Sequence, residues 1–414
     1  MNYREIPIGK IPEDWEIVRL GEVVEIHDNK RIPLNEQERA KMKGPYPYCG
    51  ANGIMDYIND YIFDGEYILL AEDGGYWGKF EKSAYIMRGK FWVNNHAHVL
   101  KALGGVADNW FLMYVLNFLD LTPYIVGSTR GKLNQKEMKN ILIPLPPLEE
   151  QKKIAEILST VDKAIEKVDE AIARTERLKK SLMQELLTRG IGHKEFKFSK
   201  ELSCRIPKVW KVVKLKDIAE KTRNSFVDGP FGSDLKKEEF VDYGIPVIQL
   251  HNVREDIFVA NELKYITEEK FNKLIRHETR PGDVIITKLG DPIAQACVVP
   301  DMFEKYMIVA DCVRLRVDKK IADPYFVQYV INSRIIRRQA LAKAKGTTRK
   351  RINLSEIREL LIPLPPLLEQ QKIAEILSTI DKKLELERKR KEKLEKIKRG
   401  LMNDLLTGKV RVKI

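Results

Sequence analysis

Two stretches of the chain carry apolar side chains at steps of three and four residues. The first runs Ile154, Leu158, Val161, Ile165, Val168, Ile172; polar Thr175 and Lys179 interrupt it, and the seam resumes at Leu182 and Leu186. The second runs Ile373, Leu377, Ile380, Leu384; Glu387 and Lys391 interrupt before Leu394, Leu401 and Leu405. A sustained period near 3.5 residues predicts two long helices of coiled-coil type. About 40 residues of helix make a rod of roughly 60 Å. Pro144, Pro146 and Pro147 force an extended lead-in, with Pro147 at the helix start. Ser159-Thr160-Val161-Asp162 could instead cap a new helix, but the seam crosses it without a phase change, which favours an unbroken helix. Each helix exposes one narrow stripe and needs a partner. The nearest is the other copy; the globular domain between them allows either orientation, and an antiparallel pairing is expected, with globular regions at opposite ends about an approximate two-fold axis.

The rest of the chain is patterned in shorter pieces. Tyr67–Ala71, Ala97–Lys101, Asp283–Thr287 and Val313–Val317 read as strands, and Trp110–Asn117 and Tyr325–Asn332 as short helices. Glycines at 50, 53, 74, 75, 229, 232 and 290 mark turns between strands. The fold class expected is α+β (mixed α/β): two globular regions and two long antiparallel coiled-coil helices.

The chain also repeats itself. Ile143–Asp162 recurs as Ile362–Asp381, an offset of 219 residues, and three of the twenty positions differ: Glu149/Leu368, Lys152/Gln371 and Val161/Ile380. The register persists to Leu186-Leu187-Thr188 against Leu405-Leu406-Thr407. Fainter matches precede each copy. Ile11-Pro12 with Trp15 answers Ile206-Pro207 with Trp210, and Gly127-Ser-Thr-Arg-Gly-Lys-Leu-Asn134 answers Gly346-Thr-Thr-Arg-Lys-Arg-Ile-Asn353. Between these landmarks the halves diverge. The organisation expected is a globular domain over 1–143, a shared helix over 144–190, a second globular domain over 191–362, and a second shared helix with a tail over 363–414.

Composition narrows the class. Of 414 residues 43% are hydrophobic and 32% charged, which excludes a disordered tail. No apolar run approaches the roughly 20 residues that span a bilayer, and the first residues lack the apolar stretch of a signal peptide. Four cysteines without a Cys-x-x-Cys pair argue against a disulfide framework or zinc ribbon and suit the cytosol. The 73 Lys and Arg against 60 Asp and Glu leave a net charge of +13. That suits a polyanionic partner, although a Lys-rich surface of the kind thermophiles carry gives the same total. Position says more. Arg130 with Lys132, and Arg349-Lys350-Arg351, sit in matching loops before the two helices, where phosphate contact outweighs a solvated charge run. For Arg388-Lys-Arg-Lys391 a solvated helix face is at least as good a reading.

Reading bases needs donors and acceptors on loops; Arg pairs with guanine and Asn or Gln with adenine. The candidates in the first domain are Lys30, Arg31, Tyr48, Asn52, Tyr76 and Trp77. In the second they are Arg223, Asn224, Ser225, Ser233, Asp234, Gln249, His251, Asn252, Arg254 and Lys288. Each alone reads as readily as a turn residue; Asn52-Gly53 is an ordinary hairpin turn.

Catalytic readings are weaker. His96-Ala97-His98 could be a metal pair, but without an acidic or Cys partner nearby in sequence a structural role is favoured. Asp228-Gly-Pro-Phe231 resembles the Asp-Pro-Pro-Tyr/Phe loop of amino-methyltransferases but lacks its first proline, and no Gly-rich loop follows a strand. Glu268-Glu269-Lys270 reads as solvated surface rather than half a nuclease triplet. No phosphate-binding loop of the Gly-x4-Gly-Lys-Ser/Thr kind occurs.

Two unlike domains, each followed by a near-identical Ile-Pro-Leu-Pro-Pro-Leu-x-Glu-Gln-x-x-Ile-Ala-x-Ile-Leu-Ser-Thr-x-Asp helix, resemble the specificity subunit of type I restriction–modification systems. The Gly-Ser/Thr-Thr-Arg lead-ins at Gly127 and Gly346 and the Gly229–Leu235 stretch fit the resemblance, which covers essentially the whole chain. It implies that each variable domain is a target-recognition domain reading one half of a split sequence in double-stranded DNA. It implies that the helices set the spacing and dock two methyltransferase subunits, and that motor-nuclease subunits join for cleavage. It implies no catalytic residue, metal or cofactor in this chain, with S-adenosylmethionine, ATP and magnesium on the partner subunits. The rival reading is an enzyme, a fused or stand-alone DNA methyltransferase or restriction enzyme. A second rival is a coiled-coil adaptor without DNA affinity.

Overall fold

The computed structural model describes residues 3–6, 9–127, 131–346 and 350–413. The chain divides into two compact units, Met1–Glu170 with Arg388–Ile414, and Ala171–Glu387. Each unit therefore holds one globular region, half of the long helix Leu148–Arg189 and half of the long helix Leu367–Leu405.

The first helix runs unbroken through Ser159–Asp162; Ser159 and Thr160 turn their hydroxyls back to the Glu156 carbonyl and cap nothing. The polar interruptions of the seam identify the pairing. Within the first unit, Asp162 meets Lys398 at 2.6 Å and Asp169 meets Lys391 at 2.7 Å. A heptad forward on one helix is a heptad backward on the other, so the two halves run antiparallel. Within the second unit Lys179 meets Asp381 at 2.6 Å. By the repeat offset, Lys179 and Asp381 are the counterparts of Lys398 and Asp162. Cations that looked like breaks in an apolar stripe are ion pairs that fix its register.

The proline-rich lead-in is a strand in both units. Leu142–Leu145 pairs antiparallel with Glu16–Arg19, and Leu361–Leu364 with Lys211–Lys214. Two-stranded ribbons tolerate Pro144 and Pro363 because each strand is an edge. Each helix then starts behind a fully buried glutamine. Gln151 accepts from the Asp108 amide and donates to the carbonyls of Val106 and Pro146. Gln370 accepts from Asp323 and donates to Ile321 and Pro365. The same three bonds lock each long helix to the loop that opens the short helix Asn109–Phe118 or Pro324–Asn332, whose N-caps are Asp108 and Asp323.

The globular regions themselves differ. The first carries a six-stranded sheet in the order Val24–Ile26, Ala97–Ala102, Phe63–Ala71, Ala84–Val93, Lys43–Gly50, Gly53–Ile58. Its pairings are antiparallel except that of Lys43–Gly50 with Ala84–Val93. The second splits its strands into two four-stranded sheets. One is ordered Phe226–Asp228, Cys312–Leu315, Val284–Thr287, Ala296–Val298; the other Lys264–Ile266, Ile245–Ile248, Tyr306–Ile308, Glu278–Thr279. Val313–Val317 extends only from Cys312 to Leu315 as a strand. Among the described residues no helix is long and apolar enough to cross a membrane.

Candidate nucleic-acid interface

In the first unit the strand Phe63–Ala71 ends in Glu72-Asp73-Gly74-Gly75, and three segments converge there. Leu133 donates its amide to the Glu72 carbonyl and Lys132 bridges Asp73, so the base of the Gly127–Lys132 loop is stitched alongside. The Gly50–Gly53 turn arrives from the sheet edge, Asn52 Nδ2 donating to the Gly74 carbonyl at 2.9 Å. The segment before Ala97 brings His96 against Asp73 at 2.5 Å.

Beneath this surface lies a charged cluster. Glu72 takes Arg31 at 2.5 Å and Lys132 at 2.9 Å. Burial works against its ionisation, yet these bonds hold its carboxyl below the usual range. Asp28 is likewise held down against burial by His98, 2.6 Å away, whose other ring nitrogen meets the Leu133 carbonyl at 2.7 Å. His98 is thus an internal strut with both nitrogens committed. The sequence offers His96 and His98 no acid close along the chain; the fold brings Asp73, Asp28 and Glu72 to them from elsewhere. Among the described residues no group of three or more His, Cys, Asp or Glu is arranged to hold a metal ion.

The second unit repeats the loop placement with different chemistry. Arg351 bridges Leu289 and Lys345, as Lys132 bridges Asp73 and Val126. Ile352 donates to the Lys288 carbonyl as Leu133 does to Glu72. Where the first unit has an acid at this position, the second has a cation, Lys288, 3.2 Å from Asp228. Arg351 meets Asp311 at 3.1 Å.

The expected DNA-contacting residues divide by exposure. Lys30, Asn52, Tyr76, Lys132, Arg223, Ser233, Asp234, Arg254, Lys350 and Arg351 are exposed. Arg31, Trp77, Asn224, Gln249 and His251 are half-buried. Arg31 is tied to Glu72 and to the carbonyls of Asp28 and Ala97, and Trp77 donates to the Ala71 carbonyl. Four are buried. Tyr48 spends its hydroxyl on the Leu34 backbone. Asn252 closes its own turn, accepting from Gln249 and donating to Val259 and Asn261. Ser225 is buried beside the strand Phe226–Asp228, and Lys288 is paired with Asp228. Arg130 and Arg349 lie outside the described residues.

Several residues that organise both units went unassigned in the sequence. Glu150 accepts from Trp15 Nε1 and from Arg411; Glu369 accepts from Trp210 Nε1 and pairs with His193 at 2.8 Å. Tyr114 donates to Asp162 and Tyr329 to Asp381, each at 2.7 Å. A signal was present: these Glu, Tyr, Asp, Gln and Trp residues stand at equivalent positions in both repeats, although the surrounding regions diverge.

Two differently built globular regions, each with a basic residue bridged beside a strand end and the same bolts to a long helix, define a class: a chain duplicated within itself on a shared helical frame. The model of the type I restriction modification DNA specificity domain matches residues 12–174 and again 207–396, and the chain belongs to that family. It is 31% identical to the type I restriction enzyme MjaVIII specificity subunit of Methanocaldococcus jannaschii, over 100% of this chain and 96% of the relative. It is 30% identical to the putative MjaX specificity subunit of the same organism, over 100% and 97%. The crystal structure of a type I S subunit from M. genitalium superposes with a TM-score of 0.63 at 15% identity, covering 98% of this chain and 97% of that one, a likeness of fold. The chain is a DNA-recognition subunit of a type I restriction–modification system and not the catalytic one, so the enzyme reading is set aside.

Proposed function

We propose that each globular region reads one half of an asymmetric, interrupted target in double-stranded DNA, while the helix pair sets the gap and docks two methyltransferase subunits. Motor-nuclease subunits join this assembly for cleavage, in the cytoplasm. On this reading S-adenosylmethionine, ATP and magnesium belong to the partner subunits. The observation that carries it is the contrast between frame and sheet. The Gln, Trp–Glu and Tyr–Asp–Lys bolts are the same in both units, whereas one unit has a six-stranded sheet and the other two four-stranded sheets. A shared frame with unlike readers is what two different half-sites at one fixed separation require. The exposed cations Lys132, Lys350 and Arg351 are assigned to phosphates, where they position without specifying, and by sequence Arg130 and Arg349 join them. Exchanging residues 1–143 for those of a relative tests the proposal. One half of the methylated motif should change and the other should stay; a change in both halves refutes modular reading.

A further inference from the structure

Resting on that proposal, one surface of the first unit bears on which of its side chains read bases. The Gly50–Gly53 turn, the Asp73-Gly74 loop and His96 border an open, shallow pocket of about 290 Å³ whose walls include Asn52, Ile54 and Met55. Exposed side chains ordinarily rotate freely, but here three are pinned. Asn52 Nδ2 donates to Gly74. Met55, 59% exposed, has its sulfur held by Nδ2 of buried Asn94 at 3.4 Å. His96 has Nδ1 against Asp73, and its backbone amide is held by the same Asn94. Ile54, 47% exposed, completes an apolar wall that no neighbour covers among the described residues. Fixed rotamers supported from behind are the mark of a prepared recognition site.

The chemistry left over is specific. With one Nδ2 proton spent on Gly74, Asn52 keeps an acceptor, Oδ1, and one N–H. That pair matches the N6 donor and N7 acceptor that adenine presents in the major groove. Met55 and Ile54 supply the apolar contact that a thymine methyl takes up. His96 Nε2 makes no hydrogen bond among the described residues and stands at the rim for an adjoining base. We propose that this pocket is the base-reading head of the first region, taking the major-groove edge of an A·T pair with Asn52 on the adenine and Met55 and Ile54 on a thymine methyl. Neighbouring Lys132 lies on the loop assigned to phosphate, so backbone and base contacts fall side by side.

The test uses the full chain assembled with its methyltransferase subunit and a randomised DNA library, with methylated sites sequenced. The wild type should return a motif containing an A·T pair that Asn52→Ala relaxes about tenfold or more in one half alone. Independently of any variant, replacing that thymine by uracil, which lacks the methyl, should weaken methylation by the wild type several-fold and leave Met55→Ala indifferent. A motif unchanged in Asn52→Ala, or a wild type blind to uracil, overturns the assignment of the head. A wild type that returns no split motif overturns the bipartite reading itself, a distinguishable failure.

Discussion

Lys179 and its repeat counterpart Lys398 make the same contact in unequal surroundings, and the difference can be measured. Lys398 pairs with Asp162 where both side chains keep about a quarter of their exposure, 27% and 28%, and it lies 5.5 Å from the Tyr114 ring. Lys179 sits 5.6 Å from the Tyr329 ring and pairs with Asp381, but also with Asp256, whose side chain is only 3% exposed. Asp256 reaches it from the tight hairpin Val253–Phe258 and is bonded on its other oxygen by Asn332. Replacing Lys398 by Met removes a partly screened pair and should cost about 1 kcal/mol. Replacing Lys179 by Met leaves two carboxylates facing each other, one deeply buried, and should cost about 3–5 kcal/mol. In a unit of this size that is roughly 10 °C of melting temperature. The pH dependence has a definite sign. Burial raises the Asp256 carboxyl above its usual range even with Lys179 and Asn332 opposing, and losing Lys179 raises it further. A group whose folded pKa is raised contributes stability at low pH and loses it as pH rises through the folded value. The deficit of Lys179→Met should therefore be small near pH 4 and grow toward neutrality. Calorimetry of the full-length variants across that range reads both effects. Equal losses for the two lysines, or a deficit for Lys179→Met that ignores pH, would refute the reasoning.

Other consequences follow from the same geometry. Gln370→Leu strands an amide and two carbonyls in a dry site and should destabilise the second unit by about 3 kcal/mol in urea titrations. Removing residues 163–169 together with 391–397 deletes one heptad while keeping Asp162 opposite Lys398. It shortens the rod by roughly 10 Å and should close the gap in the methylated motif by about three base pairs. Lys350→Ala should weaken DNA binding evenly across sequences and reduce the salt slope by about one ion, seen in titrations at several salt concentrations.

How much of this was legible in the sequence depends on distance along the chain. The long helices, their continuity and the short helices after residues 108 and 323 follow from local periodicity and caps. Duplication and one exposed stripe imply that the helices pair but allow either orientation; the antiparallel sense is fixed by the ion pairs of Asp162 with Lys398 and Asp169 with Lys391. What escapes the sequence is set by partners far apart. His98 and Asp28 are 70 residues apart, and Trp210 and Glu369 are 159 apart, so neither pairing leaves a local trace. The same blindness explains why Tyr48 and Asn252 looked available. An Asn or Tyr near a turn has the composition of a reader whether it faces a groove or props its own loop. The acid at Glu72 and the cation at Lys288 occupy corresponding positions, and only the fold aligns them, because the domains around them have diverged.

The most direct measurement is a map of methylated positions in random-sequence DNA treated with this chain and its methyltransferase subunit. The account predicts two dissimilar short motifs separated by a constant run of unread base pairs. A continuous motif, a palindrome, or two motifs at varying separation would contradict it.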